Sequence, residues 1–219
     1  MFHRLSSFHV DYHNESHLII PFLETDDSMI IHSSDKGIIY INAYNHLYVI
    51  SPCFDEEIIK YINIYKPKIA IYPCNKNPNR YLLKRNDIKQ GGVYSLLNHS
   101  ELKEIATFYQ EESDFDSEVE YLEALKPEES EFALFKDDKG KIISALYTVK
   151  KRELAVNIAT KKEERNKGLA TTLINNLPFR YIFCEEPNLL PFYEHLGFKI
   201  VNRYRVWRNK KWNMLCFLL

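Results

Sequence analysis

Glycine is scarce, with six in 219 residues, too few for a collagen-like or Gly-rich flexible chain. Cysteine is equally thin. Cys53, Cys74, Cys184 and Cys216 are widely spaced, with no Cys-x-x-Cys pair. That pattern excludes a zinc knuckle, a redox dithiol and a disulfide scaffold, and points to reduced, buried thiols. No stretch approaches the roughly 18 consecutive apolar residues of a membrane span, and Met1-Phe2-His3-Arg4-Leu5-Ser6 lacks the apolar run of a signal peptide. The expectation is a cytoplasmic protein with no membrane contact. An excess of one charge is missing too: the formal net charge is −1. The tail cations Arg203, Arg205, Arg208, Lys210 and Lys211 therefore stand on a neutral whole, which argues against nucleic acid as a partner.

What is present is ordinary globular material, 45% hydrophobic and 27% charged, long enough for one large core or two small ones. Runs rich in Ile, Tyr and Val at 28–32, 37–41 and 46–50 read as strands joined by tight turns. Ser51 to Tyr65 reads as a helix with acids in its first turn, stopped by Pro67 and followed by a strand at 68–72. The polar Asn75–Arg80 stretch marks the edge of a first α/β domain, 1–89, to which no motif gives a role. In the second domain, 90–219, the pattern predicts a strand at 93–97, helices over 100–109 and 118–125, and strands at 131–135, 142–150 and 153–160. A helix from Gly168, a strand at 181–184, a helix over 188–196 and a terminal hairpin, 198–207 with 212–218, complete it. Asp137-Asp138-Lys139-Gly140 reads as a hairpin turn with glycine where positive φ is needed.

Two charged features stand out. Between Glu111 and Glu131 ten acids face one lysine, Lys126, either a solvated surface or a field that concentrates cations. His9, His13 and His17 are spaced as on one helix face, but Asp11–Ser16 is poor in helix formers, so exposed polar residues rather than a metal site are expected.

The strongest signal runs from Ile158 to Thr171. A strand enters a charged turn, Lys161-Lys162-Glu163-Glu164-Arg165-Asn166-Lys167, and then an amphipathic helix opened by Gly168. Such a junction presents unpaired backbone N–H groups and the positive end of a helix dipole to an anion, with pyrophosphate the natural tenant.

Arg165-x-x-Gly168-x-Ala170 after a strand resembles the coenzyme A loop of the GNAT superfamily, the Gcn5-related N-acetyltransferases. Asn188-Leu189-Leu190-Pro191-Phe192-Tyr193-Glu194-His195-Leu196-Gly197-Phe198 resembles the late helix of the same superfamily. The resemblance covers about 130 C-terminal residues. It implies an α/β fold, a twisted mixed sheet flanked by helices and preceded by the smaller N-terminal α/β domain, for which a degenerate half-GNAT is one reading. It also implies an acetyl-CoA-dependent N-acyltransferase without a metal. The strand Ile158, Ala159 and Thr160 would bind the pantetheine arm through its backbone. Arg165, Asn166, Lys167, Gly168, Leu169, Ala170 and Thr171 would bind the pyrophosphate, and Asn188 would lie near the thiol. Lys162 and Asn166 depart from the family's frequent proline and glycine. Tyr193 would protonate the leaving thiolate. Glu153, the nearest acid on the preceding strand, is the first choice of general base, with Asn157, Glu118, Glu120 and Tyr147 as alternatives. The acceptor expected is the amine of a cationic small molecule or peptide, and the protein a monomer or homodimer. Two other classes compete: a silent acyl-CoA-binding module, and an interaction protein recruiting its partner through residues 1–89.

Overall fold

The computed structural model describes residues 29–34, 37–41, 45–50, 57–87, 99–112, 130–149 and 153–209. In chain order the elements are β1 (Met29–Ser34), β2 (Gly37–Ile41), β3 (His46–Ile50), α1 (Glu57–Tyr65), β4 (Ile69–Pro73), β5 (Arg80–Lys84), α2 (His99–Glu112), β6 (Ser130–Lys136), β7 (Ile142–Val149), β8 (Leu154–Thr160), α3 (Leu169–Asn176), β9 (Tyr181–Cys184), α4 (Leu190–His195) and β10 (Lys199–Arg208). The calls at 1–28, 51–56, 93–97, 113–129 and 212–218 lie outside the described residues. These include the histidine series, most of the acidic run with Glu118 and Glu120, and the last strand.

The polar stretch before Arg80 predicts one cut near residue 89. Instead the chain forms two units and passes between them after Leu83, Phe183, Pro191 and Phe198. Arg80, the last residue of that stretch, opens a strand, Arg80–Lys84, that the sequence pattern leaves unassigned.

In the first unit the sheet order is β1-β2-β3-β4-β10-β5. β1, β2 and β3 run antiparallel, α1 makes the crossover to parallel β4, and β10 pairs antiparallel with β4. All five residues of β3 are buried, which is why its sequence is a continuous apolar run around one histidine. Ile39, Leu47, Val49 and Ala70 form a core on which Tyr61 and Ile62 of α1, with Tyr72 and Trp207, pack. α1 ends on Lys66, whose φ of 45° carries the N–H back to Ile62 O at 2.9 Å. Pro67 follows and prevents continuation.

A half-buried charged cluster lies in this unit. Glu185 accepts from both Nε and Nη2 of Arg80 and, at 3.2 Å, from Nη2 of Arg208. Burial opposes the Glu185 charge, but the two guanidiniums outweigh it and hold the carboxyl below its ordinary value. Nearby, burial together with Lys68, Arg208 and Arg80 lowers His46 to about 4. A depressed histidine binds fewer protons folded than unfolded, so stability falls as pH drops from the unfolded value near 6.5 to the folded one, by up to about 3 kcal/mol. Glu185 acts in the same direction, its contribution vanishing as pH falls through its lowered pKa. Urea midpoints measured across this range should drop in the wild type and flatten in His46→Phe; parallel curves would remove His46 from the account.

In the second unit the sheet order is β9-β8-β7-β6, antiparallel from β6 to β8 and parallel between β8 and β9. The sheet is therefore mixed, as expected, and helices flank it. α2 buries Leu102, Ile105, Ala106 and Tyr109, a stripe of helical period. α3 buries Leu173 and Ile174. The β6–β7 turn is built by Asp137, whose Oδ1 accepts the N–H of Lys139 and Lys141, and closed by Gly140 at φ 79°. Those backbone donors, Lys141 first, hold the Asp137 carboxyl below its usual value. Among the described residues no helix is long and apolar enough to cross a membrane.

Candidate active site

Two irregularities in β8 coincide. β8 pairs with β9 only through Leu154–Tyr181 and Ala155–Ile182, so from Val156 to Thr160 that edge has no partner strand among the described residues. At the same point its register on β7 slips: Tyr147 faces Asn157 while Thr148 faces Ala155. Val156 is thus a bulge residue, which leaves a local break in the ladder. Beyond the bulge the alternation is fixed by Lys161, whose N–H donates to Ile143 O at 2.9 Å. Antiparallel geometry then aims the backbone groups of Asn157 and Ala159 at β7 and those of Ile158 and Thr160 at the open edge. Thr160 is further held through Ser144, whose Oγ lies 2.8 Å from Thr160 Oγ1.

The strand runs directly into the charged turn. Lys162–Glu164 is a single 3-10 turn and Arg165 is extended, with φ −66° and ψ 160°. Asn166 and Gly168 are left-handed at φ 63° and 80°, while Lys167 between them is not. This alternation turns successive N–H groups toward one side, an anion-binding arrangement. It also accounts for asparagine where the family often has glycine, because asparagine tolerates that conformation better than other side chains. Gly168 is the N-cap of α3 and has no side-chain cap. The first amide bonded into the helix is that of Thr172, to Gly168 O at 3.0 Å. Leu169, Ala170 and Thr171, as first-turn residues, have no acceptor within the helix for theirs. A Cβ at Gly168 would meet nothing within 4 Å, so the approach to these amides is open. Arg165 Nε donates to Thr160 O at 3.1 Å, fastening turn to strand, and Lys167 pairs with Glu164 at 2.8 Å.

The second motif folds as a helix terminus. Gly197, at φ 88°, donates to Glu194 O, and Phe198 donates to Tyr193 O, each at 3.0 Å. This is the paired closure of a Schellman motif, with the expected apolar contact between the residues at its two ends: the Tyr193 and Phe198 rings lie edge-on at 6.0 Å. The spacing from Tyr193 to Gly197-Phe198 is thus a capping requirement. Tyr193 is 4% exposed and Phe192 packs against it at 5.1 Å.

Two of the other named residues lie outside the elements predicted for them. Glu153 is not on the strand: it sits in the turn before β8 at φ 48°. Its carboxylate accepts from Arg180 Nε at 2.8 Å and its carbonyl accepts from the amides of Arg180 and Tyr181. Asn188 is exposed on a 3-10 turn, Pro187–Leu189, in the first unit. Among the described residues no cluster of His, Cys, Asp and Glu could hold a metal ion. Cys184, buried and donating to Glu186 O, is pushed up to about 11, chiefly by burial, which makes it a poor nucleophile at neutral pH.

No protein-family model matches the chain, and no curated protein does. Solved structures do. A GCN5-related N-acetyltransferase from Kribbella flavida matches over 84% of this chain and 90% of its own, at 10% identity and a TM-score of 0.54. The chain has the GNAT fold. A glucosamine N-acetyltransferase region within a fungal multi-domain β-N-acetylglucosaminidase matches 88% of this chain and 34% of that one, at 11% identity and a TM-score of 0.50. A Drosophila protein matches 82% of this chain and 77% of its own, at 8% identity and a TM-score of 0.52. At such identities the likeness is one of fold. It reaches beyond the C-terminal residues that carry the two motifs, so the GNAT likeness takes in part of the N-terminal segment.

Proposed function

We propose that the protein transfers an acyl group, acetyl in the first instance, from acyl-CoA to a primary amine. The observation that carries this is the open edge of β8 running into the uncapped, glycine-opened helix α3. The amides of Gly168 to Thr171 take the pyrophosphate, and Arg165 and Lys167 add positive charge around it. The pantetheine arm then runs back along β8 as a short added strand, meeting first the Thr160 amide and then, about 7 Å further at the spacing of alternate strand residues, that of Ile158. The thioester end therefore falls at Ile158, beside the bulge, where the amide polarises the carbonyl as a neutral amine attacks it. The C–N bond forms, the C–S bond breaks, the Tyr193 phenol gives its proton to the departing thiolate, and the proton lost by the nitrogen passes through water to restore the phenol. The acidic run 111–131 supports a cationic acceptor, such as a polyamine, an aminoglycoside or a lysine-rich peptide.

One observation favours a second reading, a module that binds acyl-CoA without turnover: the first-choice base, Glu153, is engaged by Arg180. Calorimetry and a transfer assay over a panel of amines separate the two. Gly168→Ala and Gly168→Asn should each lower coenzyme A affinity at least tenfold, since both project a Cβ into the space the phosphates need. Asparagine spares most of the left-handed strain of ~1–2 kcal/mol. Unchanged affinity in either folded variant would overturn the phosphate assignment. Binding intact with no amine acetylated would favour the silent module.

A further inference from the structure

We propose that Tyr109 is a positioning residue for acyl transfer, acting through a single peptide unit of β8; the inference rests on the acyltransferase reading above. Tyr109, on α2, is fully buried. Its hydroxyl donates to the carbonyl of Asn157 at 3.3 Å, across 48 residues of sequence. Its ring meets Tyr147 edge-on at 5.7 Å, and Tyr147 in turn stacks on Phe132 at 5.4 Å. Tyr147 is the residue of β7 that faces Asn157. The phenol is thus held by a stack of rings that also lies against the strand it bonds.

The carbonyl of Asn157 and the N–H of Ile158 belong to one planar trans peptide and point in opposite directions. Fixing the carbonyl therefore fixes the amide, and that amide faces the open edge. The need is local. Here β8 has lost β9 on one side and its regular register on the other, so the ladder that normally sets peptide orientation is weakest where the carbonyl must be polarised. A donor on the Asn157 oxygen also polarises the same peptide and strengthens its N–H as a donor. Tyr109 aims and sharpens the Ile158 amide without touching substrate.

The test is Tyr109→Phe in the full chain, which removes the hydroxyl and keeps the ring stack. Removing an oxyanion donor outright costs ~10²–10³ in kcat, so misaiming one should cost roughly five- to thirtyfold. The affinity for coenzyme A, which lacks the acyl carbonyl, should stay within about twofold, because the phosphate amides are untouched. In nuclear magnetic resonance the Asn157 carbonyl carbon and the Ile158 amide proton should shift, while the amides of Gly168–Thr171 stay in place. A kcat within twofold of wild type overturns the proposal. So does a parallel loss of kcat, coenzyme A affinity and thermal midpoint, which would make Tyr109 a packing residue. If the wild type transfers no acyl group to any amine, the acyltransferase reading has failed. The two resonances then decide Tyr109 alone: movement upholds its hold on the peptide and constancy refutes it.

Discussion

Tyr193→Phe is expected to lower kcat by ~10²–10⁴-fold with coenzyme A affinity nearly unchanged, the range typical of losing a positioned general acid. The substitution keeps the ring and backbone contacts of this residue. The ring is set between Phe192 and Phe198, and the carbonyl closes the helix end. Neither depends on the hydroxyl. With the side chain 4% exposed, bulk water is poorly placed to substitute as the acid. A fall smaller than about threefold would make Tyr193 a packing residue of the α4 terminus.

The second large effect concerns stability. Arg85→Leu is expected to destabilise the protein by about 3–5 kcal/mol, with Arg85→Lys recovering less than half, both read from urea unfolding. Arg85 is 3% exposed. Its Nε donates to Phe179 O at 3.0 Å, and its Nη2 to Ile174 O and Leu177 O, each at 3.2 Å. The guanidinium lies over the rings of Phe179 at 4.6 Å and Phe198 at 5.1 Å. Burial lowers its pKa, partly offset by Asp87. The cation thus sits over carbonyls at the C-terminal end of α3, where the helix dipole is negative. Leucine would remove the donor from the buried Ile174 and Phe179 carbonyls, at ~1–3 kcal/mol each, while Leu177 O keeps the N–H of Phe179. Lysine is a point charge that cannot reproduce the planar fork. Coenzyme A affinity should fall too, because the same helix carries at its other end the amides proposed to bind its phosphates. A loss below about 1 kcal/mol would mean that water takes over the carbonyls.

The contrast between these two residues indicates how far the sequence could be read. Tyr193, Gly197 and Phe198 were legible because a helix cap is a local device with a fixed spacing. The turn from Arg165 to Ala170 was legible for the same reason, and Asn166 takes there a left-handed φ that asparagine adopts more readily than most side chains. Arg85 meets partners 89 to 94 residues away, and Tyr109 reaches Asn157 across 48. No periodicity or local motif encodes such pairs. β5 was hidden behind the polar residues preceding it, and the bulge at Val156 leaves no composition signal. Glu153 was misplaced by one residue, which moved it from a strand to a left-handed turn and into the reach of Arg180.

The place of β10 has a consequence for how the protein is made. Its neighbours in the first unit are β4 and β5, yet Arg208 pairs with Ile69, and Tyr204 with Pro73, across more than half the chain. On the ribosome, β4 and β5 emerge long before the strand that joins them, and their inner edges stay unpaired while β6 to β9 are translated. Contacts of such sequence separation slow folding, and unpaired edges invite association between nascent chains. Residues 1–89 expressed alone would keep both edges and never receive the joining strand. That fragment should aggregate rather than act as a recruiting module, while the second unit is free to begin packing before synthesis ends.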